Sequence, residues 1–153
     1  MSEPEKSQHR ENGIALFNET WKLLKSSSRS SEDNVRMIHT AHASRLHWEF
    51  AGGPEQWAIG EWQVSRVYAT LGHSEAAVRH AKLAVGHTEE NKLPAWLMAS
   101  CYEGLARALR PIDLPASNAA LTVARHHLAE VKDIEDLEIL KGDFMDHDGW
   151  STG

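Results

Sequence analysis

The stretch WQVSRVYATLGHSEAAVRHAKLA, at residues 62–84, decides the fold of this chain. Gly72 divides it into two segments in which apolar residues recur at helical spacing. In the second segment, Ala77, Ala81 and Ala84 fall at i, i+4 and i+7 and form a narrow stripe of small residues. Because small side chains let two helices approach closely, the stretch predicts a tight helical hairpin.

The same pattern recurs further along the chain. Tyr68 and Tyr102 are 34 residues apart, and so are Trp62 and Trp96. Residues 74–82 also match residues 117–125, at an offset of 43 that reflects a longer, proline-bearing loop at 110–117. A recurring period of this length is typical of stacked helical units, each of which buries one face against its neighbour.

The remaining sequence predicts further helices and no strands, so we expect an all-α domain of six to seven helices. Residues 1–11 are polar and are predicted to be a disordered N-terminus, and residues 142–153 a flexible acidic tail. A single helical domain is therefore predicted over residues 12–141. The predicted helices span residues 12–25, 32–50, 54–71, 74–87, 94–109, 116–131 and, as a short seventh, 135–141.

The pattern Tyr68-x-x-x-Gly72, followed by Ala77 and Ala84, resembles the tetratricopeptide repeat. The resemblance is best over residues 61–92 and weaker over residues 95–131. It implies antiparallel hairpins stacked as a short right-handed superhelix or bundle, with a concave groove along the first helix of each pair. A peptide or helix of a partner would bind in that groove. On the implied groove we place Trp57, Glu61, Arg66, Trp96 and Glu103.

Composition narrows the classes of function. The chain has 153 residues and a formal net charge of −6, which argues against binding to a nucleic-acid backbone. It contains no apolar run long enough to span a bilayer and no signal-like segment, so we expect no membrane partner. A single cysteine, Cys101, is compatible with a reducing compartment, and we expect a cytoplasmic location.

The stretch HTAHASRLHWEF, at residues 39–50, is unusually rich in histidine. On a helical wheel, His39 and His42 share a face with apolar residues, so we expect both to point into a packed or pocketed environment. One interpretation is a metal site, since two imidazoles at i and i+3 can share a divalent ion such as zinc. Glu61 or His80 would then supply a further ligand. The chain would be a small helical metal-binding protein or a metal-dependent enzyme.

A second interpretation of the same stretch is a buried polar network, because histidines on apolar faces are usually neutral and hydrogen-bonded. Glu61 would then form an ion pair with Arg45 or Arg66. A third interpretation of the histidines is a binding pocket. For residues 60–68, the alternative to an ion pair is that Arg45 and Arg66 bind a carboxylate in the concave groove. The residues predicted for the network are His39, His42, Arg45, Ser65, Tyr68, His80 and Tyr102.

No phosphate-binding loop, dinucleotide fingerprint or nucleophile motif occurs in the sequence. We therefore expect a non-enzymatic protein–protein interaction module without a cofactor. Its partner would be a protein or peptide, and a stack with so few units can self-associate as a homodimer. The metal-binding protein or enzyme built on His39 and His42 remains the alternative.

Overall fold

The computed structural model describes residues 1–151, with side chains up to residue 147, and it confirms the all-α class over that range. No strand occurs among these residues, and none of their helices is long and apolar enough to cross a bilayer. The helices are α1 (Glu3–Lys25), α2 (Ser31–Ala51), α3 (Pro54–Thr70), α4 (Ser74–Glu90), α5 (Ala95–Leu109), α6 (Leu114–Glu130) and α7 (Ile134–Ser151).

The first six helices pack as three consecutive hairpins, α1 with α2, α3 with α4 and α5 with α6. Neighbouring hairpins contact each other where α2 meets α3 and where α4 meets α5, and α3 also packs on α5. Gly72 makes the turn between α3 and α4 with a φ of 78°, a left-handed conformation that glycine adopts without steric cost.

In each hairpin, a buried serine on one helix donates a hydrogen bond to a backbone carbonyl of the other helix. The Oγ of Ser44 donates to the carbonyl of Gly13, that of Ser65 to Ala77 and that of Ser117 to Ala106, each at 2.7 Å. Since a serine side chain is small and its hydroxyl is satisfied by a carbonyl of the facing helix, the two backbones can lie close together without leaving a buried polar group unpaired.

The alanine stripe of α4 lies in the core. Ala77, Ala81 and Ala84 are at most 1% exposed. Ala77 and Ala81 pack with Ala108 of α5, and Ala84 packs with Leu97 and other residues of α5. The stripe therefore joins the second hairpin to the third.

Both ends of the chain differ from the predictions. Helix α1 begins at Glu3 and includes most of residues 1–11, because Ser2 and Glu5 form a reciprocal capping box at its start. At the other end, α7 continues through Ser151, where a flexible tail was predicted for residues 142–153. Residues 152–153 lie outside the described residues. Leu140 and Phe144 of α7 are 4% and 6% exposed, so this segment packs on the domain.

Candidate binding groove

An open cavity of about 360 Å³ lies where α7 meets α1, α3 and α5. We call it the tryptophan cavity, since three indole rings from three different helices form much of its wall. Two polar side chains line it, one hydroxyl and one carboxylate. The lining residues are Trp21, Ile59, Trp62, Trp96, Leu97, Ser100, Asp136, Ile139 and Leu140.

The tryptophans are positioned by packing across the hairpins. The rings of Trp21 and Trp62 lie 5.6 Å apart with an interplanar angle of 49°. Trp62 also lies directly over Gly104 of α5, where a Cβ atom would come within 2.9 Å of its Cδ1 atom. Trp96 packs against the cores on both sides of α5. A glycine at position 104 thus lets α3 and α5 approach with an indole between them.

Beside the tryptophan cavity, a buried cluster of charges attaches α7 to α3 and α5. Glu103 is 1% exposed and accepts a hydrogen bond of 3.0 Å from Arg107 Nη2. From α7, Nε2 of His147 lies 3.4 Å from Glu103 Oε2. Asp143 accepts a 3.1 Å hydrogen bond from Nη2 of Arg66. Arg107 of α5 also pairs with Asp146 of α7, with 3.2 Å between Nη2 and Oδ2.

In this cluster, burial acts to raise the pKa of Glu103 and of Asp143, and the neighbouring cations act to lower it. Burial alone would raise the pKa of Glu103, but the hydrogen bond from His147 and the charge of Arg107 outweigh it and lower that pKa. For Asp143, burial and the nearby charge of Glu103 raise the pKa, although Arg66 and Arg107 oppose the rise. The cluster therefore favours the ionised form of Glu103.

A second polar network lies on the opposite side of α3, where it faces α2 and α4. Glu61 Oε1 accepts a hydrogen bond of 3.1 Å from Arg45 Nε, and its Oε2 lies 2.7 Å from His80 Nδ1. His42 Nε2 lies 2.9 Å from the hydroxyl of Tyr68, whose ring stacks on His80. Burial lowers the pKa of His42, and the charge of His80 lowers it further.

His39 does not join this network. A packed or pocketed environment was expected for it, and the packed one is wrong. It is exposed and borders a shallow groove between α1 and α2, beside Leu16 and Val35. Because α2 belongs to the first hairpin of the stack, one of its apolar faces has no neighbouring helix among the described residues. The wheel put both histidines on one apolar face of α2, but only the edge of that face that carries His42 meets α3.

Two other residues of the predicted network also lie apart from it. The hydroxyl of Ser65 donates to a backbone carbonyl of α4. Tyr102 hydrogen-bonds to Glu89, and its ring stacks on His127. The equivalent repeat position of Tyr68 and Tyr102 therefore does not give the two tyrosines equivalent partners.

The five residues predicted for the groove separate into two sets. Trp57 and Glu61 face α2 and α4, where the indole N–H of Trp57 donates to the carbonyl of Trp48 at 2.9 Å. Both therefore lie on the side of α3 away from the tryptophan cavity. Arg66 and Glu103 do lie along α3 and α5, but α7 pairs with both. Trp96 lines the open tryptophan cavity.

The reason for the separation is helical phase. On α3, positions 57 and 61 share one side, whereas Ile59, Trp62 and Arg66 lie on the other. The residues predicted for the groove did not include Trp21, Ile59, Trp62, Ser100 or Asp136. The 34-residue spacing of Trp62 and Trp96 is the signal that identifies their common side, because equivalent positions of stacked hairpins line the same surface.

Two other chemistries find little support in the described residues. No group of three or more His, Cys, Asp or Glu side chains among them is arranged to hold a metal ion. Burial raises the pKa of the Cys101 thiol to about 12, so this thiol is protonated near neutral pH.

No family model, curated protein or solved structure matches this chain. The geometry of the tryptophan cavity therefore carries the functional conclusion.

Proposed function

We propose that this protein is a non-enzymatic protein–protein interaction module of tetratricopeptide type, which binds a peptide or amphipathic helix of a partner in the tryptophan cavity. The observation that carries the proposal is the open wall formed by Trp21, Trp62 and Trp96. Buried or partly exposed tryptophans dominate the binding energy of many protein interfaces, because each provides a large, rigid apolar surface.

Helix α7 supports the proposal, because it packs on the same surface as a partner helix would. Its inner positions Leu137, Leu140, Phe144 and His147 recur at intervals of three and four residues, and they face α5. Grooves that bind amphipathic helices recognise this pattern of anchors. The uncovered part of the surface, beside Ile139, is the tryptophan cavity.

The lining of the cavity favours recognition over catalysis. Its polar groups are the hydroxyl of Ser100 and the carboxylate of Asp136, among indole rings and aliphatic side chains. An enzyme of acyl or phosphoryl transfer needs converging groups such as a nucleophile with an adjacent base, or oxyanion donors. The lining of the cavity fits a binding site better than such an active site.

The test uses two isoleucines of α7 that are almost equally exposed. Ile139 lines the cavity and is 77% exposed, whereas Ile134 lies outside it and is 76% exposed. Peptides are selected from a displayed library of amphipathic helices with the wild-type protein. Their affinities are then measured by fluorescence anisotropy for wild type, Ile139→Lys and Ile134→Lys, after circular dichroism has shown equal folding.

We expect Ile139→Lys to weaken binding at least about tenfold, or about 1.4 kcal/mol, because the change removes an aliphatic side chain that a bound peptide would cover at the rim of the cavity. Ile134→Lys should bind like wild type. Equal loss in both variants, or no loss in either, would place the peptides elsewhere on the molecule. Failure to select any peptide would contradict the proposed function itself.

A further inference from the structure

The tryptophan cavity combines aromatic walls with a single charge. Three of its lining side chains are indoles, one is the carboxylate of Asp136, and no lysine, arginine or histidine lines it. We infer that the cavity receives a cationic side chain of the partner, the ammonium group of a lysine, either free or methylated. This inference rests on the proposed function, since it names the residue type by which the bound peptide is anchored.

The indole rings provide the first part of the argument. The face of an aromatic ring carries a partial negative charge, and tryptophan attracts cations most strongly among the aromatic residues. Trp21 already has such a contact within the chain, as Nζ of Lys25 lies 5.7 Å from the ring centroid. Lys25 is not a lining residue of the cavity, where Trp62 and Trp96 offer two further rings.

Asp136 provides the second part. It is half-buried at the start of α7, and its backbone N–H donates to Asp133 Oδ1, which holds the first turn of the helix in place. The described residues give its carboxylate no lysine or arginine as an ion-pair partner. A partly desolvated carboxylate beside an aromatic wall favours a cation and disfavours a carboxylate or phosphate group.

The segment at residues 132–141 has an excess of negative charge even with Lys132 and Lys141 counted, and the whole chain has a net charge of −6. The aliphatic lining residues, among them Ile59 and Leu97, suit the methylene stem of a lysine, which packs on apolar surface while its charged end stays near a carboxylate. A volume of about 360 Å³ accommodates a trimethylated ammonium group together with this stem.

The experiment compares two probes of equal shape and different charge. One is the N-acetyl methylamide of trimethyllysine, and the other is its neutral analogue, in which carbon replaces the charged nitrogen. Binding is followed by the indole N–H resonances of the ¹⁵N-labelled full chain, assigned with single Trp→Phe variants. Asp136→Asn removes the carboxylate charge at constant shape, and Glu138→Gln is the matched control on an exposed position of α7.

We expect the cationic probe to shift the resonances of Trp21, Trp62 and Trp96 and to bind on the order of fivefold to tenfold more tightly than the neutral probe. Asp136→Asn should reduce that preference severalfold, while Glu138→Gln leaves it unchanged. Equal affinity for the two probes, or a preference that survives Asp136→Asn, would overturn the inference.

The two proposals fail in different ways. If selected peptides lose affinity in Ile139→Lys but neither probe is preferred, the interaction module stands and the cation-selective anchor is wrong. If the cationic probe binds with the expected dependence on Asp136 while no peptide binds, the cation does not come from a peptide, and both the proposed function and the lysine assignment are overturned.

Discussion

Gly104 shows how one missing side chain shapes the cavity. A Cβ atom there would meet Trp62 at 2.9 Å, so we expect Gly104→Ala to push the indole out of its place. Overpacking of this kind costs about 1–3 kcal/mol, against a gain of about 1 kcal/mol from the better helix propensity of alanine. The change should lower the free energy of unfolding, measured by urea denaturation, and alter the tryptophan fluorescence.

Gly86 of α4 is the matched control, because nothing lies within 4 Å of the Cβ position there. Gly86→Ala should therefore stabilise the protein by about 0.5–1 kcal/mol. If both glycine variants change stability equally, the contact between Trp62 and α5 does not constrain the packing.

His42 predicts a dependence of stability on pH. Its pKa in the folded protein is lowered from 6.5 by burial, then by the charge of His80, with smaller contributions from His39 and Arg79 that Glu61 opposes. Just below pH 6.5 the unfolded chain therefore binds a proton that folded His42 does not. Its contribution to stability is fully present above about pH 6.5 and is lost as the pH falls towards the lowered value.

The measurement is the free energy of unfolding between pH 7.5 and 5.5 for wild type and His42→Gln. We expect a smaller decrease in the variant, because its side chain does not titrate. Parallel curves for the two proteins would show that His42 does not titrate differently in the folded and unfolded states.

Residue by residue, the chemistry of the histidine-rich stretch was predictable only in part. That Glu61 would pair with Arg45 or Arg66 followed from charge and helical phase, and the structure forms the pair with Arg45. That His42 and not His39 faces its neighbours depends on which side of α2 meets α3. Both histidines lie on one apolar face of the wheel, and only the packing of the hairpins divides that face.

At the scale of elements, α7 is longer than predicted, since it spans Ile134–Ser151 and not residues 135–141. Acidic residues and Gly142 suggested a loose tail, yet Leu140, Phe144 and His147 are buried at helical spacing. The buried face is short and apolar only in part, since its remaining contacts are ion pairs with Arg66 and Arg107. Because such pairs join residues far apart in sequence, the local periodicity of the chain does not predict them.

Phe144→Ala tests how firmly α7 is docked. Removing a buried phenylalanine costs about 3–5 kcal/mol, so we expect α7 to detach in a large fraction of molecules. Amide hydrogen exchange of residues 134–147 should accelerate while that of α3 to α6 changes little. Met145 is 61% exposed, and Met145→Ala should leave the exchange within the range of wild type. Unchanged protection in Phe144→Ala would mean that the charge cluster alone holds the helix.

At the scale of the whole molecule, the outer face of the first hairpin exposes several large apolar side chains of α2. Val35, Leu46 and Phe50 of α2 are 55%, 59% and 45% exposed. Homodimerisation stays a prediction, and we expect this face to form the interface, because a pair of such faces would remove apolar surface from water.

Sedimentation velocity over a range of protein concentrations tests the prediction. Wild type should shift towards a dimer as the concentration rises, and Leu46→Glu should remain monomeric. Leu83→Glu, which changes an exposed leucine of α4, is the control and should associate like wild type. A wild-type protein that stays monomeric throughout would contradict the prediction of a homodimer.

The sequence by itself determined the helical class and the hairpin pattern, because helix caps, glycine turns and apolar periodicity are local properties of the chain. The alanine stripe of α4 and the spacing of Trp62 and Trp96 could likewise be recognised from the sequence. The tertiary structure alone decided that Trp21 meets Trp62, that Glu61 faces away from the cavity and that α7 returns to cover Glu103. These contacts depend on the angles and distances at which separate helices pack, and no local pattern of residues specifies those.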